Sequence, residues 1–173
     1  MNKIVKSLVW ICFLFVFLCF VGCKKSEEPK PILKVITNSE IAPIIFSYDR
    51  YYVVYDNGKT KKTSEFEPSE SVHYRFVSTN YDSPELLSGI DTNTEEGAYL
   101  NKVAGNIISL VNEDDNLSSP GAMYLANNKV YFSITIYTGH DESVALFEYI
   151  ESDNSLNKIA TFEGNITHVE AYK

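Results

Sequence analysis

Residues 130–162 read VYFSITIYTGHDESVALFEYIESDNSLNKIATF. Val130, Phe132, Ile134 and Ile136 alternate with other residues, the period of a strand whose side chains point to opposite faces. TGHDES (138–143) breaks the run, VALFEYI (144–150) resumes it, ESDNS (151–155) breaks it again, and LNKIATF (156–162) closes it. Ahead of it, Met123 to Leu125 is apolar and Asn127-Asn128 offers a turn. Strand-forming residues between short polar turns predict a four-stranded antiparallel meander. Tyr131, Tyr137, Phe147 and Tyr149 fall opposite the aliphatic residues, so the inner strands are apolar on both faces. A sheet of this kind must be covered on both sides.

The same strand chemistry runs through most of the chain. YYVVY (51–55) leads into Asp56-Asn57-Gly58-Lys59, where Asn-Gly supplies the positive φ that a tight hairpin needs. VHYRFVS (72–78) and NIISLV (106–111) read as further strands. Helical periodicity is scarce, and Asp82 to Ile90 is the best single turn, opened by Ser83-Pro84-Glu85 and closed by Gly89. The fold class predicted is all-β with antiparallel meanders, arranged as a blade-like β array (an incomplete propeller) or as a two-sheet β-sandwich.

A doubled phrase bears on that choice. LNKVA then GNI occurs at 100–107, and LNKIA then GNI at 156–160 and 164–166. A fainter third copy lies at 61–73, and the spacings of 40 and 56 residues lie near those of propeller blades. The last meander resembles the blades of bacterial propeller-type surface lipoproteins. Only about three such units fit the chain, fewer than a closed propeller takes, whereas a two-sheet sandwich suits the length.

The first 22 residues differ from all that follows. Lys3 and Lys6 precede an uncharged stretch, LVWICFLFVFLCFV (8–21), and then Gly22-Cys23. A basic start, a short apolar core and a small residue before the cut form a secretory signal. The core, at 14 residues, is shorter than the roughly 20 that span a bilayer. Phe20-Val21-Gly22-Cys23 resembles the lipobox of bacterial lipoproteins, with Phe20 where that family usually has Leu. The resemblance implies cleavage before Cys23 and lipidation of its thiol. It implies a membrane partner reached through that lipid, at the cell membrane or the outer membrane, with the body facing away from the cytoplasm. The predicted organisation is a signal peptide at 1–22, a lipidated flexible tether at 23–37 carrying Glu27, Glu28, Pro29 and Pro31, and one all-β domain at 38–173.

Cysteine and charge usage fit export. The three cysteines are Cys12, Cys19 and Cys23, so the body beyond Cys23 holds no thiol for catalysis or for a disulfide. Lys3 and Lys6 are the only charges ahead of Cys23, leaving 13 basic against 23 acidic residues, a net charge of −10. That charge repels phosphate backbones and argues against nucleic acid as a partner.

Chemistry-bearing motifs are sparse. His73, His140 and His168 lack metal-ligand spacing. Asp91 to Gly97 (DTNTEEG) loosely resembles a calcium loop, but Glu96 and Lys102 stand where that loop needs Gly and Glu. No nucleophile elbow and no phosphate-cradling loop is present. The sequence thus gives no catalytic residue, no metal ligand and no cofactor. The reading is a binding module with a protein or glycan ligand. Tyr51, Tyr52, Tyr81 and Tyr137 form its candidate contact surface, because tyrosine joins apolar area to a polar tip. The alternatives are a polysaccharide hydrolase working through two carboxylates, and a propeller fragment with no activity of its own.

Overall fold

The computed structural model describes residues 27–41, 46–69, 72–80, 82–114, 117–138 and 141–173. Cys23, Tyr81 and His140 lie outside these residues. So does the side chain of Tyr137, whose backbone belongs to a strand.

Among the described residues, nine strands form two antiparallel sheets, joined by one helix. The strands are β1 (Pro31–Ile41), β2 (Phe46–Tyr55), β3 (Thr60–Lys62) and β4 (His73–Arg75). The helix, α1 (Glu95–Asn112), follows, and then β5 (Pro120–Ala126), β6 (Lys129–Thr138), β7 (Asp141–Ile150), β8 (Ser155–Phe162) and β9 (Asn165–Ala171). One sheet runs in the order β3-β2-β1-β9, the other β4-β5-β6-β7-β8. The fold is all-β in class, and β5 to β8 is the four-stranded meander that the sequence predicts.

The two-faced character of that meander organises everything else. Tyr131 of β6 and Val144 and Leu146 of β7 face the first sheet. They meet Leu33 and Val35 of β1, Tyr52 and Val54 of β2, and Ile166 and Val169 of β9 in one interlayer core. Phe132 and Ile134 of β6, with Ala145, Phe147 and Tyr149 of β7, face the other way. There Leu100, Val103, Ala104, Ile107, Ile108 and Val111 of α1 cover them. Phe132 and Phe147 are register partners and stack with ring centroids 5.6 Å apart. The layers are therefore sheet, sheet and helix.

One buried hydrogen bond ties the layers together. The Tyr124 hydroxyl of β5 donates to the Ile166 carbonyl of β9 at 2.7 Å. Burial pushes that hydroxyl up to about 12, so it stays a donor at all ordinary pH.

Four expectations need correction. The tether does not reach residue 37. β1 starts at Pro31, and Leu33, Val35 and Ile36 are buried, so the domain begins seven residues before the predicted boundary at 38. NIISLV is not a strand but the second half of α1. Residues 82–90 form turns and an isolated bridge between Phe76 and Leu87, with no helix. The doubled phrase is not a structural repeat: its first copy is helical and its second lies in β8 and the β8–β9 turn. Nearly identical local sequence takes both forms because the tertiary partner decides. Leu100 and Leu156 nevertheless pack on the same core.

The β8–β9 turn is where the chain crosses from one sheet to the other, and Gly164 makes it possible. Its φ is +78°, and a Cβ there would stand 2.3 Å from Ser39 Oγ and 2.4 Å from the Asn38 carbonyl oxygen. Gly89 has a similar φ of +73° but open space around it. Chemical denaturation should separate the two effects. Gly89→Ala is expected to cost no more than the left-handed strain, about 1–2 kcal/mol, and Gly164→Ala distinctly more. Equal losses would mean that the crossover does not depend on this close approach. In the same assay Thr37→Val should raise stability by up to about 1 kcal/mol. Thr37 Oγ1 is fully buried and has no hydrogen-bond partner, so removing it relieves an unsatisfied group.

Candidate functional site

Among the described residues, two clusters of chemistry-bearing side chains bear on function. The first is on the outer face of the smaller sheet. His168 and Glu170 are two apart on β9 and share a face. Lys34 of β1 is the register partner of Glu170. Its Nζ donates to Glu170 Oε1 at 3.0 Å. Oε2 accepts from the Ser69 amide at 2.7 Å and the Ser69 hydroxyl at 2.5 Å, and lies 3.1 Å from His168 Nε2. Phe66 sits under the Lys34 ammonium, 4.9 Å from ring centroid to nitrogen, and meets Tyr51 edge-on at 5.2 Å. Residues 63–69 thus strap across this face.

Ser, His and Glu side by side invite comparison with a nucleophilic triad, and the geometry fails it. A triad sets the imidazole between hydroxyl and carboxylate, so that it can take the hydroxyl proton. Here the carboxylate stands between the other two, and the hydroxyl already donates to it. Burial by itself would raise the Glu170 carboxyl. The Ser69 hydroxyl and amide, then Lys34 and His168, outweigh it and hold the group at about 2. A carboxylate so strongly ionised is an electrostatic clasp for the strap, not a proton donor.

The second place is a cleft of about 400 Å³ between α1 and the β5–β6 turn. Thr94 starts α1 by accepting from the Gly97 amide at 3.0 Å, while Asp91 Oδ1 accepts from the Asn93 amide and side chain. The stretch that loosely resembles a calcium loop is therefore an N-cap. Glu95 and Glu96 occupy the first turn, where negative charge suits the helix dipole. Glu96, Tyr99 and Leu100 fall on one side of α1 by the spacing i, i+3, i+4, and all three line the cleft. The opposite wall is Asn127-Asn128, both at positive φ (53° and 57°), as a two-residue hairpin turn requires. Leu125 and Val130 line it between the walls.

Each wall is fastened. The Tyr99 hydroxyl donates to Glu151 of the β7–β8 turn at 2.8 Å. That bond, more than burial, raises the hydroxyl and keeps it protonated. Lys129 pairs with Glu148 at 2.7 Å. Asn127 Nδ2 donates to the Ile32 carbonyl of β1 at 3.1 Å, tying the turn to the start of the domain. Tyr99 remains 44% exposed, one of few large apolar side chains so open to solvent.

Of the four tyrosines singled out in the sequence, the described side chains are those of Tyr51 and Tyr52. Tyr52 is buried in the interlayer core, edge-on to Phe162 at 5.2 Å, and so is not a contact residue. Tyr51 is half-buried under the strap, where burial and then the carboxylates of Glu65 and Asp49 raise its hydroxyl. Tyr81 and the Tyr137 side chain lie outside the described residues. Tyr99 escapes the sequence reading because NIISLV (106–111), with the β-branched Ile107, Ile108 and Val111, reads as a strand and not as the second half of a helix.

Among the described residues, no group of three or more His, Cys, Asp or Glu side chains is placed to hold a metal ion. No helix among them is long and apolar enough to cross a membrane. Comparison with protein-family models, with curated proteins and with solved structures finds no match.

The Glu170 clasp makes a pH-dependent contribution whose sign is set by its lowered folded-state value. The contribution is fully present above the ordinary carboxyl value of 4.5 and disappears as pH falls from there through about 2. Its ceiling is about 3 kcal/mol. Urea denaturation of wild type and Glu170→Gln should show a gap that is constant above pH 5 and shrinks steadily below it. A gap independent of pH would show that the carboxylate's charge does not hold the strap.

Proposed function

We propose that the chain is a lipid-anchored lipoprotein of the cell envelope, and that its β body is a binding module carried outside the cytoplasm. What supports the anchor is the signal-like start ending in Phe20-Val21-Gly22-Cys23. What supports binding, and carries this reading, is the cleft beside Tyr99, which is walled by a turn bonded to the first strand of the domain.

The early start of β1 gives the anchor a mechanical meaning. Seven residues, 24 to 30, lie between Cys23 and Pro31. Fully extended they reach roughly 28 Å. Lipid on Cys23 would therefore hold the cleft end of the body near the membrane surface, because Asn127 grips Ile32 one residue into β1. Lys24 and Lys25 beside the lipid suit anionic head groups.

Cleavage of a bound polymer is less well supported than binding. A glycosidase places two carboxyl groups across the scissile bond. Glu96 is the one carboxylate among the described residues that lines the cleft. The nearby Glu151 accepts from Tyr99, and Glu148 is paired with Lys129.

Intact-mass measurement and fractionation of the full chain expressed in a bacterium test the anchor. The wild type should lose residues 1–22, gain the mass of acyl chains and sediment with membranes. Cys23→Ser should do none of these. An unprocessed wild type, or a Cys23→Ser protein of unchanged mass shift and location, would overturn the reading.

A further inference from the structure

We infer that the cleft between α1 and the β5–β6 turn is a sugar-binding site, taking an uncharged pyranose unit of a glycan against Tyr99 with Asn127 and Asn128 reading its hydroxyls. This rests on the binding-module reading above and adds the ligand class.

Four observations converge. The first is size: about 400 Å³ lies within the roughly 300–1,000 Å³ of ligand sites. The second is the division of the lining into an apolar part and a polar rim. Tyr99, Leu100, Leu125 and Val130 offer apolar area, and the two asparagines offer amides. A pyranose ring has the matching division, with C–H groups on its faces and hydroxyls on its edge. Aromatic rings accept C–H contacts on their negative π face. A planar amide provides a donor and an acceptor side by side, which suits neighbouring hydroxyls.

The third is charge. The body carries a net −10 beyond Cys23, yet among the described residues the cleft has one acid, Glu96, and one base, Lys129, the latter held by Glu148. A lining with balanced charge selects neither anions nor cations, and a neutral polyol pays no electrostatic penalty there. The fourth is preorganisation. Tyr99 is fixed through its hydroxyl on Glu151, and the Asn127 amide nitrogen is fixed on Ile32, which leaves its carbonyl oxygen as an acceptor. Side chains already held in place lose little entropy on binding. A peptide adding as a strand would find β5 already paired with β4 over 122–124 and β6 with β7 over 130–138.

Saturation-transfer NMR on the full lipidated protein, in deuterated dodecylphosphocholine, tests this with cellotriose, chitotriose and maltotriose. At least one trisaccharide should receive saturation, strongest at its ring C–H protons. Tyr99→Ala should weaken binding at least tenfold and Asn128→Ala severalfold. Tyr99→Phe should stay within about threefold, because the ring is kept. Tyr99 is exposed, so unchanged thermal unfolding is expected for both Tyr99 variants, whereas Asn128→Ala puts Ala at positive φ and its binding is compared below its own lower unfolding temperature. Absence of transfer from all three sugars, or equal binding by wild type and Tyr99→Ala, overturns the inference. A protein that crosslinks to the cleft and is displaced by none of the sugars overturns it also. The acyl mass on Cys23 is measured separately, so a failed ligand and a failed anchor cannot be confused.

Discussion

A sheet that is apolar on both faces cannot stand alone in water, and β5 to β8 is such a sheet. Along β6 the side chains alternate without a polar face: Tyr131 goes one way, Phe132 and Ile134 the other, all essentially buried. Each buried large side chain contributes about 1.5–3 kcal/mol relative to exposure. Both faces therefore demand a cover, and the chain supplies two different ones. β1, β2 and β9 bring a second sheet to one face. α1 comes to the other. The cleft lies where one of these covers, α1, meets the β5–β6 turn of the meander.

The helical cover fixes the cleft. α1 buries Leu100, Val103, Ala104, Ile107, Ile108 and Val111, a stripe that leaves one way for the helix to lie. Tyr99 is next to the first residue of that stripe, so its position follows from the packing of its neighbour. The β5–β6 turn enters for a separate reason, since the meander must reverse there. The cleft is the gap between an element placed by burial and a turn placed by strand pairing. On the other side, the strap at residues 63–69 closes the outer face of the smaller sheet through Phe66 and the Glu170 clasp. That closure uses the ionisable cluster for structure, while the cleft stays open.

The sequence was legible where pairing is local and illegible where partners are distant. Period-2 alternation with turn residues marked β5 to β8, and Asn57-Gly58 marked the β2–β3 hairpin. Their strands pair with neighbours in the chain. β1 was read as tether because Pro29 and Pro31 with Glu27 and Glu28 look solvated, and its second partner, β9, lies more than 120 residues away. α1 shows the opposite failure. Its stripe at 100, 103, 104, 107, 108 and 111 has good helical spacing, but Gly105 and the similarity of LNKVA to LNKIA pulled the reading toward strand. The cleft was out of reach for that reason: Tyr99 became visible as a wall only once residues 95–112 were helical. Of the candidate tyrosines, Tyr52 failed because alternation alone does not say which face of β2 is buried.

The central claim is that α1 and the two-faced sheet are one cooperative unit. Amide hydrogen exchange on the full chain, read by mass spectrometry, reaches it most directly. Peptides covering 100–111 should exchange as slowly as those covering 131–136 and 144–149, opening only with global unfolding. Exchange of the 100–111 amides within seconds, while β6 and β7 stay protected, would show that the helix does not cover the sheet.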